Sequence, residues 1–422
     1  MSFRFTISEQ SLAAETERHV SGTLCMQPST QKRTVIPVLE LAPEIPLVLP
    51  VKPRGGIWSS IVGGFRAVAS AWEWFFGVVT LIVGLSLLAA TPILQFASLG
   101  YLLEASGRIS RSGRLRDGFI GVRLAARAGS IVLGVWLMLL PLRLIASLAY
   151  SARIIDPDGI VARRWHIALI ILTILMGVHI VLAVSRGGRL RHFLWPFTNP
   201  FWLIRRLWRG GYYAEARDAV WDFVAALRLP YYLWLGIRGF AGAMIWLFLP
   251  ITLLALGTRL PILDLPGTLL LWLVLLYVPF LQAHFAAENR FRACFEIRAV
   301  RTQFKRAPWA FALAFFFTLL FAVPLYLLKI EIVPREAAWL PSLVFISFMF
   351  PVRLLTGWAL GRARRRITPR HWFFRWTGRL SMLPVAGFYV LIVFLSQYVS
   401  WYGVWSLYEQ HAFLLPVPFF SM

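Results

Sequence analysis

Eight stretches of about 20 mostly apolar residues recur along this chain, and they limit its fold more than any other feature. They are residues 75–95, 129–150, 165–184, 239–258, 265–285, 309–328, 338–357 and 382–402. An α-helix rises 1.5 Å per residue, so each is long enough to cross the hydrocarbon layer of a bilayer. Inside that layer the backbone must satisfy its own hydrogen bonds, which a helix does within one segment. Proline falls inside several windows, at 92, 141, 250, 279, 324 and 351. In a membrane bundle neighbouring helices can take up the carbonyls that proline frees. The chain is therefore expected to be an all-α, polytopic integral membrane protein with about eight transmembrane helices.

Composition agrees. The 422 residues are 59% hydrophobic and only 15% charged, where a soluble domain would carry about a quarter charged residues. The net charge is +24. On a soluble protein that would suggest nucleic acid; here the basic residues lie between apolar runs, so nucleic acid is not the expected partner.

Their distribution sets a topology. The connections 96–128, 185–238, 286–308 and 358–381 hold 28 Lys and Arg, whereas 151–164, 259–264 and 329–337 hold 6 and the tail beyond 402 holds none. By the positive-inside rule the basic set is cytoplasmic and the C-terminus is outside. Anionic lipid headgroups on the cytoplasmic side are the expected partners, beside a protein partner. Arg outnumbers Lys by 39 to 4, a bias that a GC-rich genome produces, and the expected location is a bacterial cytoplasmic membrane. Residues 1–20 lack the apolar core of a signal peptide.

The ends are less regular. Residues 1–56 form a proline-rich arm, extended or disordered, because prolines at 28, 37, 43, 46, 50 and 53 forbid a regular helix. Eight crossings place the N-terminus outside, although 1–74 carry seven basic residues and no leader. An interfacial or re-entrant helix over 57–74 would return it to the cytoplasm. The bundle proper is expected over 75–402, with a tail at 403–422. Amphipathic helices on the inner leaflet are expected near 212–229 and 285–306. In the second, Glu288 and Arg292 are spaced as an i,i+4 pair.

Short strings recur in order. Pro92-Ile-Leu-Gln95 matches Pro279-Phe-Leu-Gln282, Pro141-Leu142 matches Pro324-Leu325, and Arg191-His192 matches Arg370-His371. They reflect either an internal repeat of helix groups, as in many transporters, or chance matches of short apolar strings.

Candidate chemistry is sparse. The Asp158-Gly159-Ile160-Val161-Ala162-Arg163 core resembles the start of the signature of the CDP-alcohol phosphotransferases, membrane enzymes that join alcohols to a phosphatidyl group. Their pattern asks for an Asp where this chain has Ile155, and for further carboxylates on the next helix, where 167–184 has none. Those carboxylates hold the metals between phosphates, so 156–159 reads as a turn between spans. His284 and Glu288 stand four apart, two metal-type ligands without a third, and with Arg292 they are candidates for headgroup or partner contacts. Arg143, Gln95, Gln282 and His179 are the candidates for a ligand or a polar path. Arg143 lies well inside its span, where it either snorkels to the interface or meets an anion; Arg353 lies near the inner end of its own. No catalytic residue, metal site or cofactor is expected. Two functions remain: a non-catalytic envelope component whose basic face contacts anionic lipid or a partner, or a permease, flippase or channel for a small or anionic molecule.

Overall fold

The computed structural model describes residues 57–195, 198–208, 210, 212–327 and 339–396, nearly all within one compact unit, Ser60–Met422. The expected arm at 1–56 and the tail at 403–422 lie outside the described residues. Fourteen α-helices follow one another without a strand among the described residues: α1 (Ile57–Ala89), α2 (Gln95–Ser112), α3 (Val122–Ile155), α4 (Ile160–Ser185), α5 (Leu190–Leu194), α6 (Thr198–Leu207), α7 (Tyr212–Ala226), α8 (Leu229–Gly257), α9 (Asp264–Leu275), α10 (Val278–Glu288), α11 (Ile297–Arg306), α12 (Pro308–Leu327), α13 (Trp339–Arg364) and α14 (Trp372–Ser396). Seven of the spans these helices form are long and apolar enough to cross a membrane, or eight if the bent pair α11–α12 counts as one. The chain is an all-α polytopic membrane protein.

Several expected boundaries move. Residues 57–74 are not a separate interfacial or re-entrant piece: they continue into the first span as the single 33-residue helix α1. The window 265–285 is broken at Leu276–Tyr277, just before Pro279, which cannot donate to the preceding turn. The helix over the last window begins at Trp372, ten residues early. The expected amphipathic helix over 285–306 is three pieces. Asn289 takes a left-handed backbone (φ 52°) that ends α10, a 3-10 turn spans Phe291–Phe295, and α11 starts afresh at Ile297. The other amphipathic helix is α7, followed by left-handed Arg228 (φ 49°).

The largest departure is α2. Its sequence, QFASLGYLLEASGRISRS, has the composition of a polar connection, yet 14 of its 18 residues are buried. Hydropathy does not mark it, because its buried surface mixes Leu99, Tyr101, Leu102, Leu103 and Ile109 with small and polar residues instead of being apolar throughout. Gly100 lies against the Tyr232 carbonyl and Gly236 against the Phe96 carbonyl, so α2 and α8 meet backbone to backbone. A Cβ on Gly107 would stand 2.5 Å from the Ala286 oxygen of α10, and one on Gly361 would stand 2.8 Å from the Ile109 oxygen. Close approach through glycine replaces the hydrophobic drive that lipid cannot supply between helices. Pair order gives direction: Phe96 meets Gly236 and Gly100 meets Tyr232, so α2 runs antiparallel to α8. Ser106 meets Gly357 and Ile109 meets Gly361, so it runs parallel to α13.

α3 and α4 form a hairpin that the bundle barely covers. Only 6% and 11% of their most apolar windows are buried, against 67% for Pro261–Glu288, so most of their apolar surface is left uncovered by the rest of the described chain. α1 touches α3 where Gly77 meets Val122 and Ala126 and where Thr80 meets Gly129. The contacts advance together along both helices, so α1 points the same way as α3. The start of α1 therefore lies at the bundle end that carries Arg123 and Arg127.

The glycine contacts give a direct test. Gly100→Ala forces a methyl into the α8 backbone, and overpacking of this kind costs about 1–3 kcal/mol. Gly84, on α1, has open space where its Cβ would be, and Gly84→Ala should gain up to about 1 kcal/mol from helix propensity. Thermal unfolding of the detergent-solubilised protein should show a fall for the first variant and no fall for the second.

Candidate functional site

The charged side chains of the bundle gather at the ends of α2 and α10. On α2, Glu104 is nearly enclosed and accepts three hydrogen bonds: from Arg108 Nε (3.0 Å), Arg111 Nη2 (2.9 Å) and the Tyr231 hydroxyl (2.9 Å). Burying a carboxylate costs free energy that such partners offset. Arg111 turns its other nitrogen onto the carbonyls of Ala286 and Ala287, both at 3.0 Å, which are orphan acceptors at the end of α10. Arg238 binds Asn289 next to them, and Arg365 donates to the Ser112 carbonyl at the end of α2. Arginines thus cap both helices at the ends where the macrodipole is negative.

His284, on α10, is buried and has both ring nitrogens engaged. Gln303 and Arg364 point N–H groups at Nδ1, each at 3.4 Å, so Nδ1 accepts and Nε2–H donates to Glu296 at 3.0 Å. Glu288 does not pair with Arg292, because α10 ends at Asn289 before the fourth residue can come round. It binds Arg364 instead (2.8 Å), with Arg290 at 3.7 Å. Arg292 is exposed on the 3-10 turn. No group of three His, Cys, Asp or Glu among the described residues could hold a metal.

The other sequence candidates separate. Gln282 lies in the middle of α10 with Arg353 Nη1 bonded to its oxygen at 2.8 Å and its own amide on the Gly239 carbonyl. Gln95 is buried at the start of α2, and no hydrogen bond joins the two glutamines among the described residues. His179 bonds the Phe193 carbonyl (2.8 Å) and Asn199 (3.4 Å), fastening α4 to the short helices α5 and α6. Arg143 stands on the exposed face of α3. Asp156 to Gly159 form the turn between α3 and α4. The arrangement brings His284, Glu288, Glu296 and Arg364 together and leaves Arg143, Gln95 and His179 apart.

Sequence reasoning passed over Glu104, Arg111 and Arg353. Glu104 looked like one acid in a basic loop; the usable signal was the glycine pair Gly100 and Gly107, seven apart on one helical face. Arg353 looked as though it sat at a span end, yet it is fully enclosed, because α10 and α2 fill that end of the bundle.

Two outcomes follow from this network. Gln282→Leu removes an acceptor from a buried guanidinium and should lower stability by about 1.5–3 kcal/mol in thermal unfolding. The Glu296 carboxyl is held below its ordinary range, chiefly by the hydrogen bond from His284 against partial burial, with the guanidiniums of Arg290 and Arg292 helping. A depressed carboxyl contributes stability that is complete above its unfolded pKa, about 4.3, and is lost as pH falls through the lower folded value. The melting temperature should therefore drop between pH 5 and 3, measured by a pH series, and Glu296→Gln should remove part of that drop.

No protein family, curated protein or solved structure matches this chain, so its own geometry carries the functional argument.

Proposed function

We propose that the chain is a non-catalytic membrane component whose basic face holds anionic lipid. The observation that carries this reading is the contrast between two sets of arginines. One set (Arg111, Arg238, Arg353 and Arg364), of which only Arg353 is buried, is engaged in hydrogen bonds to carbonyls, carboxylates and Gln282. Others at the basic end, among them Arg123, Arg127, Arg189 and Arg191, have no carboxylate partner among the described residues and are exposed. A set of unpaired guanidiniums beside a bilayer suits phosphate headgroups, which each attract a basic residue by about 1 kcal/mol. The excess of Lys and Arg in alternate connections supports a cytoplasmic position for this face in a bacterial inner membrane, with the C-terminus outside.

The permease reading draws on the buried Arg353–Gln282 pair, a polar group of the kind that can mark a substrate path. Against it, Gln95, Gln282, His179 and Arg143 do not converge, and Arg143 is positioned to snorkel.

In phosphatidylcholine nanodiscs doped with phosphatidylglycerol, the melting temperature of the full chain should rise with the anionic fraction, and the rise should shrink in high salt. An equal melting temperature in both lipids would overturn the lipid-holding role. Solute flux through reconstituted liposomes that vanishes in Arg143→Leu would transfer the case to the permease.

A further inference from the structure

α1 and α3 touch at Gly77 and Gly129 and leave an apolar cleft of about 550 Å³ beyond the contact. Its walls are Thr80, Gly84 and Leu87 on one side and Ala128, Val132 and Trp136 on the other, and Tyr101 and Tyr232 close its base. A second hollow, of about 640 Å³, adjoins it and shares Phe76 and Leu124 with the first. Its character is the reverse. Arg123, Arg127, Arg189 and Arg191 line it, with Glu73 the one acid. Both volumes lie in the range of about 300–1,000 Å³ usual for small-molecule sites.

We propose that these two joined hollows form a specific site for one anionic phospholipid, with its phosphate among Arg123, Arg127, Arg189 and Arg191 and an acyl chain in the cleft between α1 and α3.

Three features select that occupant. First, Arg123 and Arg127 are four apart on one face of α3, where like charges repel unless an anion lies between them. Second, the four guanidiniums against one carboxylate leave the hollow strongly positive. The same field reaches His192, which burial, then Arg186, Arg191 and Arg189, hold below the ordinary imidazole range. Third, the positive hollow opens straight into a cleft whose lining is almost wholly apolar, which a free phosphate would leave unfilled. A lipid of this kind satisfies both halves, and the weakly covered α3–α4 hairpin would be held to α1 by it. The site deepens the lipid-holding reading of the basic face and rests on it.

The test is native mass spectrometry of the full chain released from mixed phosphatidylglycerol and phosphatidylcholine micelles. One phosphatidylglycerol per chain should be retained in preference to phosphatidylcholine. Arg123→Gln with Arg127→Gln should lower its occupancy about thirtyfold, from the ordinary worth of a basic residue at an anionic surface. Arg362→Gln with Arg366→Gln removes the same charge elsewhere and should change occupancy less than threefold. Gly84→Leu adds a side chain where there is open space, so it fills the cleft without disturbing the arginines, and it should also displace the lipid. Equal losses in the two arginine pairs would overturn the site while leaving general lipid binding by the basic face intact. Full retention in Gly84→Leu, or replacement of the lipid by inorganic phosphate, would overturn the acyl cleft. Loss of any anionic-lipid preference in the wild type would remove both the site and the reading beneath it.

Discussion

Everything at the centre of this bundle depends on the backbone-to-backbone contact of α2 with α8 at Gly100 and Gly236. Lipid offers α2 no hydrophobic incentive to leave the bilayer for a protein interior, since one apolar environment is exchanged for another. Close packing must supply the attraction, and dispersion falls away within an ångström of the optimal distance. Any side chain at either glycine would hold the two helices apart. With both absent, α2 comes within reach of α8, α10 and α13 at once, and the rest of its small residues, Ala97, Ala105, Ser106 and Gly107, become contact surface.

That proximity decides the electrostatics. A helix that carries Glu104, Arg108 and Arg111 into a bundle brings charges that must be neutralised on the spot. Glu104 answers its own two arginines and Tyr231, and Arg111 is then free to cap α10. Arg365 caps α2 in the same way, and Arg364 holds Glu288. Each bond needs helices already placed by the glycine contacts. Packing and charge here form one system, with the carbonyl ends of two buried helices as its acceptors.

The legible and illegible parts of the sequence divide along the same line. Spans that face lipid, such as α3 and α4, must be apolar over their whole length, and hydropathy finds them. α2 faces only protein, so nothing obliges it to be apolar, and a hydropathy window reads it as a loop. The break at Asn289 was equally hidden. The apolar residues of 285–306 keep helical spacing across a left-handed residue, because the 3-10 turn and α11 resume roughly in phase. Glu288 and Arg292 do not pair for that reason, whereas His284 and Glu288 lie together with Glu296 and Arg364. Arg143 drew attention as the charge deepest in a span. Depth in the sequence is not burial in the fold, and it was Arg353 that the bundle enclosed.

The recurrence of short strings takes on a physical sense in this light. Pro92-Ile-Leu-Gln95 and Pro279-Phe-Leu-Gln282 both stand where a helix breaks before a buried one, and each buried helix ends in a left-handed residue, Gly113 or Asn289, followed by a 3-10 turn. Proline interrupts the helix, and the polar residues after it can survive only where protein surrounds them. The left-handed cap then exposes carbonyls that need cationic donors, which the arginines around both ends supply. The same local grammar thus yields the same structural outcome twice, an enclosed helix with an arginine-capped end. It also explains why arginines accumulate at one end of the bundle: some are consumed as caps, and others, on α3 and around α5, stay exposed.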